Sequence, residues 1–403
     1  MAPGLVLFDD DRARQWAPLA LTRPAGELRF GASTLVERAE RALGLDCIGY
    51  LTSEHLAGFS EPGARAVLSF DDLPKDRDLV FWCSRAAADP EESVVVPSDP
   101  AVFLMDGRPV GLYAAAGRRP DRAFLDQLTL DSGPPAEVHV AGRLLERIWD
   151  LVLHTPDQLI QDLASARGSM PSGLPDGVYS LGAQPLILGR GVRIEPGTLF
   201  DTREGPVLVG DEVEIRAGTR LAGPAAVGPQ SRLLGGSFER ISTGPFSYLR
   251  GEVAETVVLG YSNKAHDGYL GHSYVGKWVN LGAFTTNSDL KNNYRPVRVW
   301  TPSGLVDTGE MKVGCFFGDH VKTGIGLLLG TGTVVGAGAN LYGSVMPPRY
   351  VEPFSWGEGD DLGEYRLTEF LDTAQAAMAR RGVDLDERGR RFLEGCWRKG
   401  RGE

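Results

Sequence analysis

The sequence predicts an α/β domain, then a parallel β-helix, then a helical tail. The β-helix is predicted because aliphatic residues recur every six positions, and because the same stretch is dense in glycine and β-branched residues without the three-four spacing of a helix. The six-residue spacing is seen at Val209, Ile215, Leu221, Val227 and Leu233, then at Val275 and Leu281, then at Leu329, Val335 and Leu341.

Each six-residue unit is expected to form a short strand and a tight turn, with three units completing one coil. The aliphatic residue would point into the coil, and glycine or asparagine would occupy the turns, where a β-carbon is disfavoured. Because a single coil cannot bury its own apolar face, the coils are expected to stack into a prism.

The chain is expected to divide into four segments. Short apolar runs alternate with helical patterns over residues 1–167, which is typical of an α/β domain ending in a linking helix. A stretch rich in Gly, Pro and Ser opens a linker at 168–186. The β-helix occupies 187–346, and amphipathic patterns in 347–403 predict capping helices over the open end of the prism.

Composition excludes several classes of partner. The net charge of −11 opposes binding to nucleic acid or to an anionic membrane, because no basic stripe is present. The four cysteines are scattered singly, which predicts reduced, mostly buried thiols rather than disulfides or a zinc site. With no signal-peptide pattern and no apolar run long enough to span a membrane, we expect a cytoplasmic protein.

The most specific pattern in the chain lies at 259–271, which reads L-G-Y-S-N-K-A-H-D-G-Y-L-G, and is followed by V-N-L-G-A at 279–283. These motifs resemble the acetyltransferase coils of the bifunctional enzymes of UDP-N-acetylglucosamine synthesis, the GlmU family. The chain is more similar still to the divergent sugar nucleotidyltransferase relatives of that family. The resemblance covers nearly the whole chain.

The resemblance implies a nucleotidyltransferase-like N-terminal domain and a left-handed β-helix that acts as an acyltransferase. It also implies acetyl-CoA as the acyl donor, an amino sugar phosphate or a nucleotide sugar as the other substrate, and assembly as a homotrimer. Mg²⁺ would serve the N-terminal domain. No clear pair of metal ligands can be assigned there, Asp99 and Asp106 being the candidates considered.

Acyl transfer to a sugar amine requires a neutral amine, so a base must lie within hydrogen-bond reach of it. His266 is the candidate, because an imidazole titrates near neutral pH. Tyr269 would bind the sugar or the tetrahedral oxyanion. The resemblance assigns the remaining positions as follows: Arg250, Lys264, Asn280, Asn287 and Lys291 to the substrate, and Ala283 and Gly324 to the acyl donor, whose pantetheine arm would approach the backbone closely.

The N-terminal domain departs from the family pattern. The family has a glycine-rich loop after the first strand, whose backbone N–H groups cradle a triphosphate, whereas the corresponding residues 8–14 contain no glycine. Arginine side chains would have to bind the phosphates instead, and the candidates are Arg12, Arg14, Arg23 and Arg29.

Two further departures concern the β-helix. The chain is about one coil shorter than the family between Arg250 and Lys264, and Ile325 stands where the family has a small hydroxyl residue. Two alternatives to the acyltransferase therefore stay open. One is a nucleotidyltransferase in which the β-helix is only a trimerisation stalk, and the other is a non-catalytic sensor or scaffold for nucleotide sugars.

Overall fold

The N-terminal domain is built on a mixed six-stranded sheet. In the computed structural model the described residues are 2–89, 93–128, 136–164 and 173–402. Three parallel strands form one half of the sheet, and an antiparallel pair and a further parallel strand form the other half. In spatial order the strands are Cys47–Leu51, Gly4–Phe8, Leu79–Cys83, Arg108–Ala114, Ala101–Met105 and Ala136–His139.

Short helices and ribbons surround this sheet. Helix α1 begins after Thr34, because the Thr34 hydroxyl accepts from the Glu37 N–H at 3.3 Å and the Glu37 carboxylate accepts from the Thr34 N–H at 2.8 Å. The helices are α1 (Leu35–Leu43), α2 (Arg122–Asp126), α3 (Asp150–Leu153) and α4 (Thr155–Asp162). The ribbons pair Arg29–Phe30 with Ser33–Thr34 and Ala86–Ala88 with Gly142–Leu144, and 3-10 turns lie at Ala13–Gln15, Ala25–Glu27, Glu54–Leu56 and Phe70–Asp72.

The second part of the chain is a parallel β-helix, as the sequence predicts. Every aliphatic residue in the six-residue series is buried inside the coils, with at most 3% of its surface exposed. Coil strands begin at Tyr179, inside the segment assigned to the linker, the first part of which (168–172) lies outside the described residues. Nine strands form one face: Leu186–Leu188, Val207–Val209, Ala225–Val227, Ser242–Thr243, Val257–Val258, Tyr274–Val275, Phe316–Phe317, Val334–Val335 and Tyr350–Val351.

The other faces of the β-helix are less regular. One holds Tyr179–Leu181, Arg193–Ile194, Leu199–Asp201, Glu214–Ile215, Thr219–Ala222, Arg232–Glu239, Tyr248–Ala254, Asn263–Lys264 and Tyr269–Gly271. The later coils add Thr286–Asn287, Lys322–Thr323, Leu328–Leu329, Asn340–Leu341 and Ser355–Glu358, the last paired with Asp361–Glu364. A hairpin of Arg298–Thr301 and Gly304–Asp307 projects from the excursion after Asn287.

Large side chains occupy turns where the sequence predicts glycine or asparagine. Phe246, Tyr261, Trp278 and His320 stand at one corner of successive coils with φ between 54° and 63°. Such backbone costs about 1 kcal/mol or more for a residue with a β-carbon. Their rings form a continuous column, with centroids 4.9, 4.5 and 6.3 Å apart, and this contact offsets the backbone strain. We call this column the corner stack.

The C-terminal helices lie along the side of the prism rather than over its end. Helix α5 (Leu367–Ala379) packs Phe370 against His320 and Phe354, so it extends the corner stack. Helix α6 (Glu387–Arg401) packs Phe392 against Phe59 of the N-terminal domain. The two helices therefore join the domains instead of capping the prism. The hairpin at Ser355–Glu364 continues the last coil.

The two domains share a buried interface. Phe30 and Trp149 from the N-terminal domain pack in one apolar cluster with Tyr274 and Phe316 of the β-helix. None of the helices in the described ranges is long and apolar enough to cross a membrane. All four cysteines are buried and free, and burial raises the pKa of each thiol, so the thiols stay protonated and unreactive.

Candidate functional site

A cleft of about 410 Å³ opens on the β-helix beside the end of helix α5. It brings together four residues that the sequence selects from three coils: His266, Asn280, Ala283 and Gly324. We call it the outer cleft. Its remaining lining residues are Tyr248, Asn263, Ala265, Leu281, Gly282, Thr323, Ile325, Arg380 and Arg381.

His266 stands in the short loop between strands Asn263–Lys264 and Tyr269–Gly271, and its side chain is exposed to the cleft. Within the part of the chain that the structure describes, its imidazole has no hydrogen-bond partner. The loop itself is held firmly, because the Lys264 ammonium donates to the His266 carbonyl at 2.5 Å. An anchored backbone with a free ring is the arrangement that a general base requires.

Lys264 is 2% exposed and does not line the cleft. Burial lowers the pKa of its ammonium to about 8. Because its hydrogen bonds go to the carbonyls of His266 and Arg250, the structure gives Lys264 the task of shaping the loop. The sequence had assigned it to the substrate, a role that this placement does not provide.

Tyr269 points away from the outer cleft. Its hydroxyl donates to Asp289 Oδ2 at 2.6 Å, and His272 Nδ1 lies 2.8 Å from the same oxygen. Burial and the Asp289 carboxylate raise the pKa of the Tyr269 hydroxyl well above its usual value. The predicted contact of Tyr269 with a sugar or an oxyanion in this cleft is therefore not made by this arrangement.

The group formed by Tyr269, Asp289, His272 and Glu255 makes stability depend on pH. Burial opposes the charge on His272, but its contacts to Asp289 and to Glu255 (3.1 Å) raise its pKa to about 9. A raised histidine pKa stabilises the fold fully below the unfolded value near 6.5, and this stabilisation is lost as pH rises through 9. We therefore expect the free energy of unfolding to fall by on the order of 3 kcal/mol between pH 6.5 and 9.5.

Denaturant unfolding at several pH values measures this fall. The variant His272→Gln should flatten the profile over the same interval, because it removes the titrating ring. An unchanged slope in His272→Gln would show that other groups cause the pH dependence.

The two asparagines predicted to bind substrate have different surroundings. Asn280 lies in the outer cleft, and its Oδ1 accepts from Asn263 Nδ2 at 3.2 Å, so the NH₂ group of Asn280 is left without a partner among the described residues. Asn287 is 3% exposed, and its amide bonds to both the N–H and the C=O of Gly271, at 2.8 and 3.0 Å. Asn287 is thus part of the coil interior, which corrects its assignment to the substrate.

Arg250 and Lys291 lie outside the outer cleft. Arg250 Nε donates to Asp267 at 3.0 Å and its Nη1 to the Leu234 carbonyl at 2.8 Å. Lys291 lines a separate shallow cleft and donates to the Pro296 carbonyl at 2.5 Å. Neither side chain meets His266 within one copy of the chain.

The backbones of two neighbouring coils lie close together at the place where the pantetheine arm of the acyl donor was expected. A β-carbon on Gly282 would lie 2.4 Å from the Gly324 carbonyl oxygen, so only glycine fits between these two coils. Ala283 and Gly324 both line the outer cleft, as the assignment to the acyl donor requires. Ile325, whose side chain is 77% exposed, forms the rim instead of the small hydroxyl of the family pattern.

Two of the four arginines assigned to a nucleotide hold the domains together instead. Arg23 is 1% exposed and binds Asp319 of the β-helix at 2.7 Å and Glu61 at 3.0 Å. Lys277 binds the same Glu61 at 2.5 Å. Arg29 is likewise buried, with Nε donating to Ser242 of the β-helix at 2.7 Å. Neither guanidinium group is open to a nucleotide, which corrects both assignments.

The other two arginines lie at the surface of the N-terminal domain. Arg12 pairs with Glu146. Arg14 pairs with Asp126 at 2.9 Å and with Asp11, and it lines a cleft of about 660 Å³. We call this the N-terminal cleft. It lies beyond the carboxyl ends of the parallel strands Gly4–Phe8 and Cys47–Leu51, where α/β sheets bind ligands.

The sequence did not single out the other polar residues of the N-terminal cleft. Arg122 donates to the Thr52 carbonyl at 2.6 Å, and no carboxylate within the described ranges pairs with it. His55 comes from the same domain, Lys399 from helix α6, and Tyr350 from the β-helix. Three parts of the chain thus line the cleft. Because these parts are far apart in the sequence, no local motif could have predicted that they meet.

No metal centre is built in the ranges that the structure describes, where no cluster of three or more His, Cys, Asp or Glu side chains could hold an ion. Asp99 and Asp106 flank the two ends of strand Ala101–Met105. The five-residue strand between them keeps their backbones about 13 Å or more apart, so Asp99 and Asp106 do not form one ion site in this structure.

The structure joins an α/β domain to a β-helix whose coils form a cleft around a histidine without a described partner. Residues 5–169 match the family described as sugar nucleotidyl transferase, and parts of the chain are similar to bifunctional proteins of the GlmU type.

Three relatives illustrate this kinship. The chain is 31% identical over 162 residues to a bifunctional sugar-1-phosphate nucleotidylyltransferase/acetyltransferase of Sulfurisphaera tokodaii, covering 37% of this chain and 38% of that one. It is 28% identical over 207 residues to the bifunctional protein GlmU of Carboxydothermus hydrogenoformans, covering 42% and 43%. It is 24% identical over 164 residues to the putative uncharacterized acetyltransferase YaiX of Escherichia coli K12, covering 40% and 71%. The chain therefore spans about two fifths of the length of the first two relatives.

Proposed function

We propose that the β-helix transfers an acyl group, most simply acetyl, from a CoA thioester to the amine of an amino sugar phosphate or a nucleotide amino sugar. The observation that carries this proposal is the convergence of His266, Asn280, Ala283 and Gly324 in one cleft. The names of two relatives, a bifunctional sugar-1-phosphate nucleotidylyltransferase/acetyltransferase and a putative uncharacterized acetyltransferase, support acetyl transfer.

The free imidazole of His266 takes the proton from the amine as its nitrogen attacks the thioester carbon. The tetrahedral intermediate collapses with cleavage of the carbon–sulfur bond. The amide nitrogen keeps the acyl group, and the proton held by His266 passes to the departing sulfur as the thiol forms. The unpartnered NH₂ group of Asn280 is the described side-chain donor available to a sugar hydroxyl or to the oxyanion.

The donor end of the site suits a CoA ester. Gly282, Ala283 and Gly324 line the outer cleft without bulky side chains, which leaves room there for a pantetheine arm. Arg380 and Arg381, at the end of helix α5, supply positive charge beside it. These two arginines are functional candidates that the sequence analysis missed, because the repeat pattern ends before helix α5 begins.

Release of free thiol tests this proposal. The wild-type protein is incubated with acetyl-CoA and, in turn, glucosamine 1-phosphate, other amino sugar phosphates and nucleotide amino sugars. We expect thiol release with one acceptor class above the rate without acceptor. If the folded protein releases no thiol with any acceptor in this panel, acetyl transfer to these substrates is excluded.

The N-terminal cleft favours a second activity, nucleotidyl transfer from a nucleoside triphosphate to a sugar 1-phosphate. Its position at the strand ends and the family match over 5–169 support this activity, whereas the glycine-free loop and the paired Arg14 oppose it. Release of pyrophosphate from a triphosphate in the presence of a sugar 1-phosphate distinguishes this activity. Binding of both ligand classes without either turnover would favour the sensor.

We extend the proposal to a homotrimer. The side chains of Phe284 and Ile325 are 64% and 77% exposed at the rim of the outer cleft, and exposed apolar side chains beside a site are typical of an interface. Light scattering measures the mass directly, and a mass of one chain would contradict the assembly.

A further inference from the structure

A second pocket, of about 250 Å³, continues the outer cleft inward between the β-helix and helix α5. The two spaces share Asn263, Asn280, Arg380 and Arg381, so a ligand in one reaches the other. We call this second space the inner pocket. Its other lining residues are Tyr261, Trp278, Val279, Lys322, Thr373, Ala376 and Ala377.

The inner pocket and the outer cleft are cationic, although the chain carries a net charge of −11. Lys322, Arg380 and Arg381 line the inner pocket, and among the described residues no carboxylate lines either space. The N-terminal cleft differs, because Glu54 lies among its cations. A cationic lining without carboxylates in an acidic protein indicates an anionic ligand.

Lys322 bonds to two backbone carbonyls as Lys264 does, but unlike Lys264 its side chain lines a pocket. It takes the same place in its coil as Asn280 and Asn263 take in theirs. Its ammonium donates to the carbonyls of Trp278 and His320, at 2.6 and 3.1 Å, and no described carboxylate pairs with it. Burial lowers its pKa to about 7. An ammonium held in this way opposes stability, and a neutral side chain of similar length would fit the same position.

The two arginines complete the charge at the mouth of the inner pocket. Arg381 donates to Asn263 Oδ1 at 2.6 Å, and its guanidinium lies 3.9 Å from the centre of the Tyr248 ring, while its Nε is buried without a partner in the described chain. Arg380 is exposed beside it, and no described residue is paired with it. Guanidinium groups with free N–H donors match the oxygens of a phosphate.

We propose that the inner pocket binds a phosphate group of one of the two substrates, with Lys322 as its central cation. The third N–H of the Lys322 ammonium, which the two carbonyls leave free, donates to a phosphate oxygen, and the arginines bind from the mouth. The phosphate belongs either to CoA or to the sugar acceptor. This inference rests on the proposed acyl transfer for the identity of those substrates, but it is tested by binding alone.

The experiment compares pairs of ligands that differ only in phosphate. Dissociation constants are measured for CoA against dephospho-CoA, for 4′-phosphopantetheine against pantetheine, and for glucosamine 1-phosphate against glucosamine. For Lys322→Met we expect affinity to fall at least tenfold for the phosphate-bearing member of one pair and to stay unchanged for its phosphate-free member. A loss confined to CoA or 4′-phosphopantetheine assigns the pocket to the donor, and a loss confined to glucosamine 1-phosphate assigns it to the acceptor.

Stability distinguishes this role from a structural one. Because the substitution removes a partly buried charge together with its two hydrogen bonds, Lys322→Met is expected to unfold at a temperature close to that of the wild type. Arg380→Gln, at an exposed position, should also weaken the phosphate-bearing ligand severalfold, and Arg391→Gln on the outer face of helix α6 should change nothing. If Lys322→Met fails to fold, the Arg380→Gln comparison decides.

Two results would overturn the proposal. One is that the wild-type protein binds ligands with and without phosphate equally well, or binds neither. The other is unchanged phosphate affinity in Lys322→Met and Arg380→Gln. Thiol release is scored separately: phosphate-dependent binding without any turnover would refute acyl transfer and leave the phosphate site standing.

Discussion

Replacement of His266 by alanine is expected to lower kcat for acyl transfer by a factor of roughly 10²–10⁴, the usual contribution of a general base. The ring has no described partner and its side chain is exposed, so its removal should leave the fold intact. The rate of thiol release is measured with the acceptor that the wild-type protein uses, together with the dependence of kcat/KM on pH.

His139→Ala is the matched control, because that histidine is exposed in the N-terminal domain, away from the outer cleft. The control should keep the wild-type rate. Full activity in His266→Ala would support the transferase activity and would show that His266 is not its general base.

Replacement of Asp319 by alanine is expected to destabilise the protein by about 3–5 kcal/mol, the typical effect of breaking a buried ion pair. Asp319 accepts from Arg23 at 2.7 Å, from the Thr22 hydroxyl at 2.7 Å and from the Lys277 N–H at 2.8 Å. Without this carboxylate, Arg23 stays buried with Glu61 alone. Thermal unfolding measures the loss, and limited proteolysis reports whether the domains separate.

Asp372→Ala serves as the control for Asp319→Ala. Asp372 is 67% exposed and pairs loosely with Arg390 at 3.5 Å, so its removal should change stability by less than about 1 kcal/mol. Asp319→Asn keeps the shape of the side chain without its charge and should give an intermediate loss. Similar unfolding temperatures for all three variants would show that the ion pair does not hold the domains together.

The repeat could be predicted because it is a local property of the chain. In a parallel coil, residues one coil apart stack, so a six-residue spacing is enough to place Val209, Val227 and their equivalents inside. The same rule brings Asn263 and Asn280 together, which are paired across neighbouring coils. This stacking explains why residues that the resemblance assigned from different coils lie in one cleft.

The roles of the arginines could not be predicted in this way. Arg23 and Asp319 are separated by 296 residues, and Arg29 and Ser242 by 213. In the sequence, an arginine near the first strand looks the same whether its side chain binds a phosphate or a buried carboxylate. Only the packing of the two domains against each other distinguishes these cases. Such packing does not produce a regular spacing of residues in the sequence.

The inner pocket was missed for a related reason. Lys322 reads in the sequence as a polar residue between two coil positions, and Arg380 and Arg381 read as the charged end of an amphipathic helix. That helix was expected over the end of the prism, whereas it lies along the side. Its position depends on Phe370 and the corner stack. Aromatic residues in those turns were not expected, because turns of this kind favour glycine.

The corner stack also determines which changes of length the β-helix tolerates. Each ring contacts only the ring above and the ring below, so a whole coil could be deleted and the column would close again between equivalent neighbours. Deletion of a single residue would shift the register of one coil and take its ring out of the column, leaving the cost of the positive φ without the contact that offsets it. The prism can therefore lengthen or shorten by entire coils, while its circumference at the corner stays fixed.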